Sequence, residues 1–556
     1  MDIEQAFAAA WRQHQAGQLK DAEAGYREIL SNDPAQAEVL YNLGTVLRAL
    51  GRPDEAVAAY EQALSQRPRF PAAINNLGEV FESMGRLDDA EDLYRHALLL
   101  TPDSANLWNN LGGVLKDLGR VDEGIACLQR AHELEPDNAR LHSNLVFTLH
   151  FSPRQDASAL LAAARDWARL HANRLGPTNL FHAHDRSPHR RLRIGYVSGH
   201  FRNHCQALYL TPLLSSHDRI GHEIFAYSDT RNSDGITERL RASVDVWRKT
   251  ADMDDDRLAE LIRSDGIDVL VDLTLHMAGH RLGVFARKPA PVQITWLGYP
   301  GTTGIGAIDY RFTDTHLDPP GTRDDLYAER SVRLPDSFWC YDPLTDQPAV
   351  NALPAGRSGP ITFGCLNNFC KVNDAVLELW SRVARAVPDS RFLLLAPPGT
   401  ARARAKAKLG VTADRIEFVA YQPRDEYLRH YQRIDIGLDT FPYQGHTTSL
   451  DAWWMGVPVV SLAGNTAVAR ASLSLSANLG LSDLVAMSPA DYVREAVALA
   501  GDRERLADLR AGLRHRLTQS PLMDHGRFAR NVEQAYRILW LAWCQTASKS
   551  PTSVES

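Results

Sequence analysis

Apolar positions in the first 150 residues recur with the spacing of a helix inside a longer repeat. From residue 40 they stand three or four positions apart, a glycine follows, and a second helical stripe runs to a proline. This arrangement predicts two amphipathic helices closed by a helix breaker. The glycines and prolines return every 34 residues, which predicts an array of helical hairpins. The repeating positions are Gly17, Gly51, Gly85 and Gly119, and Pro34, Pro68, Pro102 and Pro136.

The stretch LYNLGTVLRALGRPDEAVAAYEQALSQRP, residues 40–68, resembles the tetratricopeptide repeat. In that resemblance small Gly44 and Ala56 let the paired helices approach, and Tyr60 packs on the next unit. Four copies are clear and 137–170 is interpreted as a degraded fifth, so the prediction is an α-solenoid with capping helices over residues 1–170. Such arrays expose an extended concave surface. This favours docking of a protein or peptide, or formation of a homodimer; a spacer is the alternative.

Beyond the repeats the pattern changes to short, nearly continuous apolar runs separated by helical stripes. Such runs are typical of parallel strands buried on both faces, and they predict two Rossmann-like α/β halves, 193–345 and 346–526. Residues 171–192 are interpreted as a linker, 527–546 as a C-terminal helix that packs back on the first half, and the Ser- and Thr-rich 547–556 as a disordered tail. The predicted strands are RIGYVSG, HEIFAYS, IDVLVDL and VQITWLG in the first half, and ITFGCLN, RFLLLAP, RIEFVAY, IDIGLD and VPVVSL in the second.

Ligands of open parallel sheets bind beyond the carboxyl ends of the strands, so the loops there are expected to carry the chemistry. The loop YQGHTTSLD follows the strand IDIGLD and leads into a predicted helix. Gly445 permits a turn, and Thr447, Thr448 and Ser449 offer hydroxyls and unpaired amides at a helix N-terminus, where phosphate is favoured. The alternative is a capping box, in which Thr448 and Asp451 satisfy each other's backbone amides.

Lys371 occupies the equivalent place after the strand ITFGCLN. A lysine there can neutralise a diphosphate leaving group, although a solvated surface charge is the default for a single lysine. Asn367 and Asn368 interrupt the neighbouring apolar run with amides, which suits a wet site. Arg424 follows the strand RIEFVAY and either adds a donor from a third loop or is an ordinary surface arginine.

Composition makes any anion site a local feature of the chain. The 556 residues include 61 basic and 68 acidic residues, a formal net charge of −7, so the global charge gives no reason to expect nucleic-acid binding. The start of the chain is acidic, and no apolar run approaches the ~18 residues of a membrane span. Six cysteines without a C-x-x-C pair fit a reducing compartment. The expectation is a cytoplasmic protein without a membrane partner.

With these motifs in order, the chain resembles the O-linked N-acetylglucosamine transferase family of inverting, GT-B-type glycosyltransferases. The resemblance rests on GYVSGHFRNH, WLGYPGTTG, NNFCKV and GHTTSLDAWWMGVPVVSL, preceded by tetratricopeptide repeats. It implies transfer of N-acetylglucosamine from UDP-N-acetylglucosamine to serine or threonine hydroxyls of proteins. It also implies that the UDP-sugar is a donor substrate and that no metal or other cofactor is used.

The resemblance implies roles for individual residues as well. Lys371 would stabilise the departing UDP, and His204 would be essential, either orienting the acceptor or accepting its proton. Without the motif, His204 would be interpreted as a structural loop histidine. The diphosphate would be held by His446, Thr447 and Thr448. The full set of implied donor-binding residues is Asn368, Lys371, Gln422, Pro423, Arg424, Tyr427, His446, Thr447, Thr448 and Asp451, with Asp451 at the ribose.

Several features depart from the family pattern. Tyr427 stands where animal members carry a histidine against the uracil, and an aromatic ring can still stack there. Cys205 replaces a proline after the active-site histidine. The large insert between the halves of the animal enzymes is absent and the repeat array is short. The range of protein acceptors of the animal enzymes therefore does not transfer to this chain.

Other signals favour structural roles. The acids at 252–256 imitate a D-x-D metal motif but precede a helix, where the dipole favours them. The linker histidines lack the spacing of a zinc site, and Cys205 beside His204 lacks the third member of a catalytic set. Two alternatives stay open: a scaffold with inactive nucleotide-binding halves, and a transferase with a glycan or small-molecule acceptor. The residues interpreted as structural are Asp252, Asp254, Asp255, Asp256, His182, His184, His189, Trp453 and Trp454.

Overall fold

The structure is a computed structural model that describes residues 3–176 and 184–546. The chain divides into two compact units. One comprises the chain up to Leu141 together with Ala396–Ala405, and the other comprises His142–Leu395 and the chain from Lys406 onward. The linker histidine His182 and the predicted tail 547–556 lie outside the described residues.

The first unit contains the four predicted helical hairpins. The first helix of each hairpin is followed by a glycine with φ between +71° and +76°, a left-handed backbone that glycine adopts at little steric cost. This requirement explains the 34-residue glycine period. Gly44 lies so close to its paired helix that a Cβ would be 2.7 Å from the Tyr60 ring. The helices are α1 (Ile3–Gln15), α2 (Leu19–Asn32), α3 (Ala37–Ala49), α4 (Pro53–Gln66), α5 (Pro71–Ser83), α6 (Leu87–Leu100), α7 (Ala105–Asp117) and α8 (Val121–Leu134).

Within the described residues, the first sheet has seven parallel strands: β1 (Leu192–Ser198), β2 (His222–Ser228), β3 (Val246–Lys249), β4 (Val269–Asp272), β5 (Val292–Thr295), β6 (Tyr310–Asp314) and β7 (Arg330–Leu334). Their order is β3-β2-β1-β4-β5-β6-β7. The four strands predicted from apolar runs are present. The intervening helices are α11 (Ala207–Ser216), α12 (Gly235–Ala242), α13 (Asp255–Ser264) and α14 (Leu282–Ala286).

The second sheet, over the same described part of the chain, has six parallel strands: β8 (Thr362–Cys365), β9 (Arg391–Leu395), β10 (Ile416–Val419), β11 (Ile436–Leu438), β12 (Val459–Leu462) and β13 (Val485–Ala486). Their order is β10-β9-β8-β11-β12-β13, and the first five were predicted. The two sheets give the predicted pair of Rossmann-like halves. The helices of this half are α15 (Asp374–Ala386), α16 (Thr400–Leu409), α17 (Arg424–His430), α18 (Thr447–Trp454), α19 (Ala471–Ala477), α20 (Pro489–Gly501) and α21 (Arg503–Thr518).

Two helices, α9 (Ala139–Leu149) and α10 (Ala157–Trp167), stand where the degraded fifth repeat was predicted. Within the second unit, their residues pack on the loops that follow β4 and β5. The Phe147 ring lies 5.4 Å from Tyr299, and the Trp167 ring lies 5.0 Å from His276. This helix pair therefore packs on the two loops that extend the first sheet at its carboxyl edge.

The C-terminal helix α22 (His525–Thr546) packs on the first half, as predicted. The hydroxyls of Tyr536 and Tyr196 are 2.9 Å apart, and His217 Nδ1–H donates to the Glu533 carboxylate at 2.8 Å. The chain thus returns to the first sheet after completing the second. Among the described residues, no helix is both long and apolar enough to cross a membrane.

Candidate active site

A buried carboxylate fixes the loop after β11. Asp439 accepts hydrogen bonds from the Gly445 N–H at 2.7 Å, the Ser461 hydroxyl at 2.9 Å and the Asn367 amide at 3.2 Å. Its burial raises the pKa of the carboxyl, and the hydrogen bonds oppose that effect. Asp439 thus ties the loop after β11 to the loop after β8 and to strand β12.

Gly445 is required for space and not for a turn. Its φ lies outside the left-handed region, whereas a Cβ would lie 2.3 Å from Thr448 Oγ1 and 2.8 Å from Asn367 Oδ1. The expectation that Gly445 permits a turn is therefore wrong in its physical reason. The missing side chain lets the loop from β11 approach the first turn of α18.

The N-terminus of α18 has no side-chain cap. Thr448 donates its hydroxyl proton to the Asn367 side chain, and the Asp451 carboxylate accepts from the Tyr341 hydroxyl at 2.6 Å and from Arg424 at 2.7 Å. The capping-box alternative is wrong, because both side chains that would form the box are bound elsewhere. The amides of the first turn have no intrahelical acceptor and are suited to an anion.

Lys371 is directed at the same loop. It ends a short 3-10 turn, Phe369–Lys371, in which the exposed Asn368 side chain accepts from Cys370 N at 3.1 Å. Lys371 Nζ donates to the Gln444 carbonyl at 2.9 Å and lies 4.3 Å from the centre of the Tyr443 ring. Burial lowers the pKa of the ammonium. The alternative of a solvated surface lysine is wrong, and the turns at 371 and 446 meet in space.

The His446 ring is neutral at physiological pH. Burial, followed by the nearby Lys371 charge, lowers its pKa to about 3. Its Nε2–H donates to the Val468 carbonyl at 3.4 Å, so this nitrogen carries the single ring proton. The group of His446 that is available to a diphosphate is therefore the backbone N–H before α18, and the ring packs between Trp339 and Tyr443 at 5.2 Å from each.

Arg424 and Asp451 form a partly buried ion pair between α17 and α18. Asp451 is 2% exposed and Arg424 26% exposed in their side chains, so the surface alternative for Arg424 is wrong. Tyr427 bonds its hydroxyl to that of Tyr431 at 2.8 Å, and Tyr431 donates to the Thr448 carbonyl. These bonds join α17 to the first turn of α18.

The rest of the predicted uridine-side loop is more open. Pro423 is exposed and directly precedes α17, while Gln422 Oε1 accepts from His430 Nε2–H at 2.5 Å. Among the described hydrogen bonds, neither residue bonds to Lys371 or to the loop at 446.

His204 belongs to the first half and stacks on His200 with ring centres 4.3 Å apart. Its Nδ1 accepts the Gln206 N–H at 3.3 Å, and burial lowers its pKa to about 3. In a neutral imidazole with Nδ1 accepting, the proton is on Nε2. His204 is therefore suited to donate a hydrogen bond.

The first half reaches the second at this site. The Tyr209 hydroxyl lies 2.7 Å from Thr447 Oγ1. The exposed Cys205 lies close enough to Lys371 and Asp451 for both charges to act on the pKa of its thiol. Apart from His204, Asn368 and the open end of the uridine-side loop, the predicted site residues are thus connected by contacts between the two sheets. Four further residues belong to this cluster and were not predicted from the sequence: Tyr209, Tyr341, Asp439 and Tyr443.

Five of the residues interpreted as structural make structural contacts. Asp254 caps α13 by accepting the Arg257 N–H at 2.8 Å, and Asp255 pairs with Arg281 at 3.0 Å. Trp453 and Trp454 are buried in the core. His184 Nε2–H donates to the Ile267 carbonyl at 3.1 Å.

A tetratricopeptide array followed by two Rossmann-like halves, with a lysine beside the free amides of a helix N-terminus, is the arrangement of a repeat-bearing glycosyltransferase of the GT-B type. The model of glycosyl transferase family 41 matches residues 142–352 and 348–532, and tetratricopeptide models match 7–73, 41–105 and 83–146. The chain belongs to glycosyl transferase family 41.

Known relatives agree with this membership. A mutant of the Thermobaculum terrenum O-GlcNAc transferase has a similar solved structure, with 40% identity and a TM-score of 0.85 over 93% of this chain and 99% of that one. A tomato (Solanum lycopersicum) protein named "Probable UDP-N-acetylglucosamine--peptide N-acetylglucosaminyltransferase SPINDLY" is 37% identical over 69% of this chain and 42% of its own length. A Caenorhabditis elegans UDP-N-acetylglucosamine–peptide N-acetylglucosaminyltransferase is 25% identical over 70% of this chain. The chain spans less than half the length of these two curated relatives.

Proposed function

We propose that the protein transfers N-acetylglucosamine from UDP-N-acetylglucosamine to serine or threonine hydroxyls of proteins, with inversion at the anomeric carbon and without a metal. The relatives named as transferases of this kind support the donor and the acceptor class. The observation that carries the proposal is the convergence of the Lys371 ammonium with the N-terminal turn of α18. A cation and free helix amides together form a site for the diphosphate of a nucleotide leaving group.

In this proposal Lys371 stabilises the negative charge that builds up on UDP during transfer. The acceptor oxygen forms a bond to the anomeric carbon as the bond to the β-phosphate oxygen breaks, the electron pair stays on UDP, and the hydroxyl proton is lost to the solvent of the crevice. Lys371 and the amides of residues 446–448 stabilise the departing diphosphate. Because these groups neutralise the charge, the proposed reaction requires no metal.

The nucleoside is placed beside α17 and α18. Asp451 takes the ribose, and Tyr427, with Gln422, Pro423 and Arg424, forms the uridine side. The Arg424 ion pair holds Asp451 in position before the donor arrives. Asn368 lies exposed at the edge of this site.

His204 has an orienting role in this proposal. With its proton on Nε2 and its Nδ1 already accepting from Gln206, the ring donates a hydrogen bond to an oxygen of the sugar or the acceptor. A base would instead need a free acceptor nitrogen and a pKa near the working pH, and the pKa of about 3 does not meet that need.

We place the acceptor protein on the repeat array, whose extended surface is of the kind that binds peptides; a homodimer through the repeats is part of the same proposal. A cytoplasmic setting would keep the six cysteines as thiols. A glycan or small-molecule acceptor would use the same donor site without the repeats.

Donor binding is tested by the rise in melting temperature that UDP produces. Lys371→Met should abolish most of this rise and lower kcat by about 10²–10³. Lys406→Met is the matched control, because Lys406 is exposed on α16 and its loss should change neither quantity. An unchanged response in Lys371→Met would contradict the assignment of the diphosphate site.

Transfer is tested by incubating the protein with radiolabelled UDP-N-acetylglucosamine and a lysate of its source, followed by gel and mass spectrometry in the presence and absence of a chelator. We expect label on serine or threonine of proteins in both conditions. UDP binding without any labelled product would favour the alternative, a repeat scaffold with inactive halves.

A further inference from the structure

Tyr443 lies at the centre of a contact network that no role assigned above uses. Lys371 Nζ lies over its ring, 4.3 Å from the ring centre. The His446 ring stacks on it at 5.2 Å, and the Phe151 ring stacks on it at 4.7 Å with an angle of 13° between the planes. Tyr443 is buried, with 7% of its surface exposed.

Phe151 is itself fixed by its surroundings. It lies in the short turn after α9. Its backbone N–H donates to the Thr148 carbonyl at 3.1 Å, and its ring packs edge-on against Phe147 at 5.2 Å. It is 4% exposed. Because neither ring has room to rotate freely, the Phe151–Tyr443 stack presents a defined ring face to Lys371.

A lysine side chain needs more than one contact to hold its ammonium group in a single position. Its four-carbon stem has many rotamers, and the Gln444 carbonyl at 2.9 Å fixes only one direction of the ammonium. A ring face attracts a cation through its quadrupole, most strongly where water is excluded. The Tyr443 ring therefore supplies a second, non-hydrogen-bonding contact that leaves the remaining ammonium protons for a diphosphate.

We propose that Tyr443, held by Phe151, is a positioning residue that seats the Lys371 ammonium through its ring face so that the cation meets the leaving diphosphate. This inference rests on the proposed function and adds a determinant of its rate. A purely structural role for Tyr443 is the alternative. The two roles differ in what they require of the ring. A structural role depends on the size and shape of the ring, whereas positioning of the lysine depends on the negative charge of the ring face.

The electronic dependence is measured by placing phenylalanine and its mono-, di- and trifluorinated analogues at position 443 by codon suppression. Fluorine drains the ring face of negative charge with little change in ring size. We expect Tyr443→Phe to keep kcat within about threefold of the unsubstituted protein. Each fluorine should then lower kcat further, to about tenfold in total, while the melting temperature and the KM for the donor stay nearly constant. A kcat that is independent of fluorine would overturn the inference.

The same series in a Lys371→Met background shows whether the ring acts through the lysine. The dependence on fluorine should vanish there, and its persistence would also overturn the inference. UDP affinity, measured by calorimetry, gives a second readout that does not need an acceptor, and it should weaken along the series only when Lys371 is present.

Phe151→Leu tests the support from the far side of the stack. It should lower kcat about three- to tenfold with the donor KM unchanged, whereas Phe392→Leu, which removes a buried ring from β9, should affect only stability. Equal effects of the two substitutions on kcat would count against the stack. If the unsubstituted protein neither binds UDP nor transfers sugar, the proposed function itself is wrong. If the enzyme is active and its kcat does not depend on fluorine, only the positioning role of Tyr443 is wrong.

Discussion

At the scale of single residues, Gly445 occupies a position that leaves no room for a side chain. An added Cβ would lie 2.3 Å from Thr448 Oγ1, 2.8 Å from Asn367 Oδ1 and 3.0 Å from Asp439 Oδ1. Gly445→Ala should therefore break the bond between Thr448 and Asn367 and move the loop away from α18. Overpacking of this kind costs about 1–3 kcal/mol. We expect lower stability in urea and at least tenfold weaker UDP binding.

Gly512→Ala is the matched control for this substitution. Gly512 lies inside α21 with no atom within 4 Å of an added Cβ, so alanine there should stabilise by about 0.5–1 kcal/mol through helix propensity. Normal UDP affinity in Gly445→Ala would show that the loop can relax without disturbing the anion site.

The ion pair of Arg424 with Asp451 gives a second residue-scale prediction. Asp451→Asn should destabilise the second unit by about 3 kcal/mol, because it leaves the Arg424 charge partly buried and uncompensated. Tyr341→Phe removes one hydrogen bond to the same carboxylate and should cost about 1–2 kcal/mol. Urea unfolding of both variants measures the difference.

A double-mutant cycle separates the ion pair from other effects of the change. In an Arg424→Met background, Asp451→Asn should cost much less than in the native background, because no charge is left unpaired. Additive costs in the two backgrounds would show that Asp451 acts through contacts other than Arg424.

At the scale of elements, Gly304 determines how α10 packs on the first sheet. Its φ is +78°, and a Cβ would lie 2.2 Å from the Ala164 carbonyl of α10. Alanine at 304 meets both backbone strain and a rigid main-chain atom, so Gly304→Ala should destabilise the second unit by about 2–4 kcal/mol. Gly306→Ala, two residues further on and without neighbours within 4 Å, should change the stability in urea by less than about 0.5 kcal/mol. Similar losses in the two variants would contradict this packing.

The motif WLGYPGTTG carries the family resemblance, and its two threonines have structural partners. Thr302 and Thr303 were part of a motif quoted for a transferase, yet their hydroxyls donate to the buried Glu329 carboxylate. Together with Gly304, these threonines belong to the loop on which α10 packs. A sequence pattern of this kind does not distinguish a residue that holds a loop from one that holds a ligand.

Strands β3 and β7, which the sequence did not predict, differ in burial from the strands that it predicted. The central strands β1, β4 and β5 are apolar on both faces and produce continuous runs. Strand β3 reads VWRK and β7 reads RSVRL, and both lie at the edges of the first sheet with half-exposed side chains. Edge strands keep polar residues, so the apolar pattern that predicts central strands is absent from them.

Site residues were predictable where they directly follow strands of the same sheet. Lys371 and His446 each follow a strand of the same sheet, and the carboxyl ends of parallel strands meet at one edge. Tyr209 and Tyr341 could not be found in this way. Their bonds to Thr447 and Asp451 span 238 and 110 residues, and only the packing of the two halves brings them close.

At the scale of the whole molecule, buried neutral histidines make the stability of the fold sensitive to acid. Burial lowers the pKa of His150 to about 3 and, with the Arg281 charge adding to it, that of His280 to about 4; it lowers the pKa of His276 well below its ordinary value. All three lie where α9 and α10 meet the loops of the first sheet. In the unfolded chain each would titrate near 6.5.

The direction of the pH effect follows from these shifts. Because the folded-state pKa values lie below the unfolded value, the unfolded chain binds more protons below pH 6.5, and the stability due to the neutral rings is lost as the pH falls toward 3 or 4. Each such histidine contributes a slope of about 1.4 kcal/mol per pH unit in that window. The second unit should therefore unfold in progressively less urea between pH 6.5 and pH 4.5, while its stability should change little between pH 7 and pH 8 from this cause.

His150 allows this prediction to be tested at one ring. It is 6% exposed, its Nδ1 has no hydrogen-bond partner, and it packs edge-on against Tyr299 at 4.7 Å, so phenylalanine can take its place without losing a bond to Nδ1. His150→Phe should reduce the acid slope of stability in urea by about 1.4 kcal/mol per pH unit below pH 6.5 and leave the stability at pH 8 equal or higher. His515→Gln, an exposed position on α21, should leave the slope as it is. If His150→Phe keeps the full slope, the acid sensitivity resides in other groups, and the neutral ring packed on Tyr299 is not one of its sources.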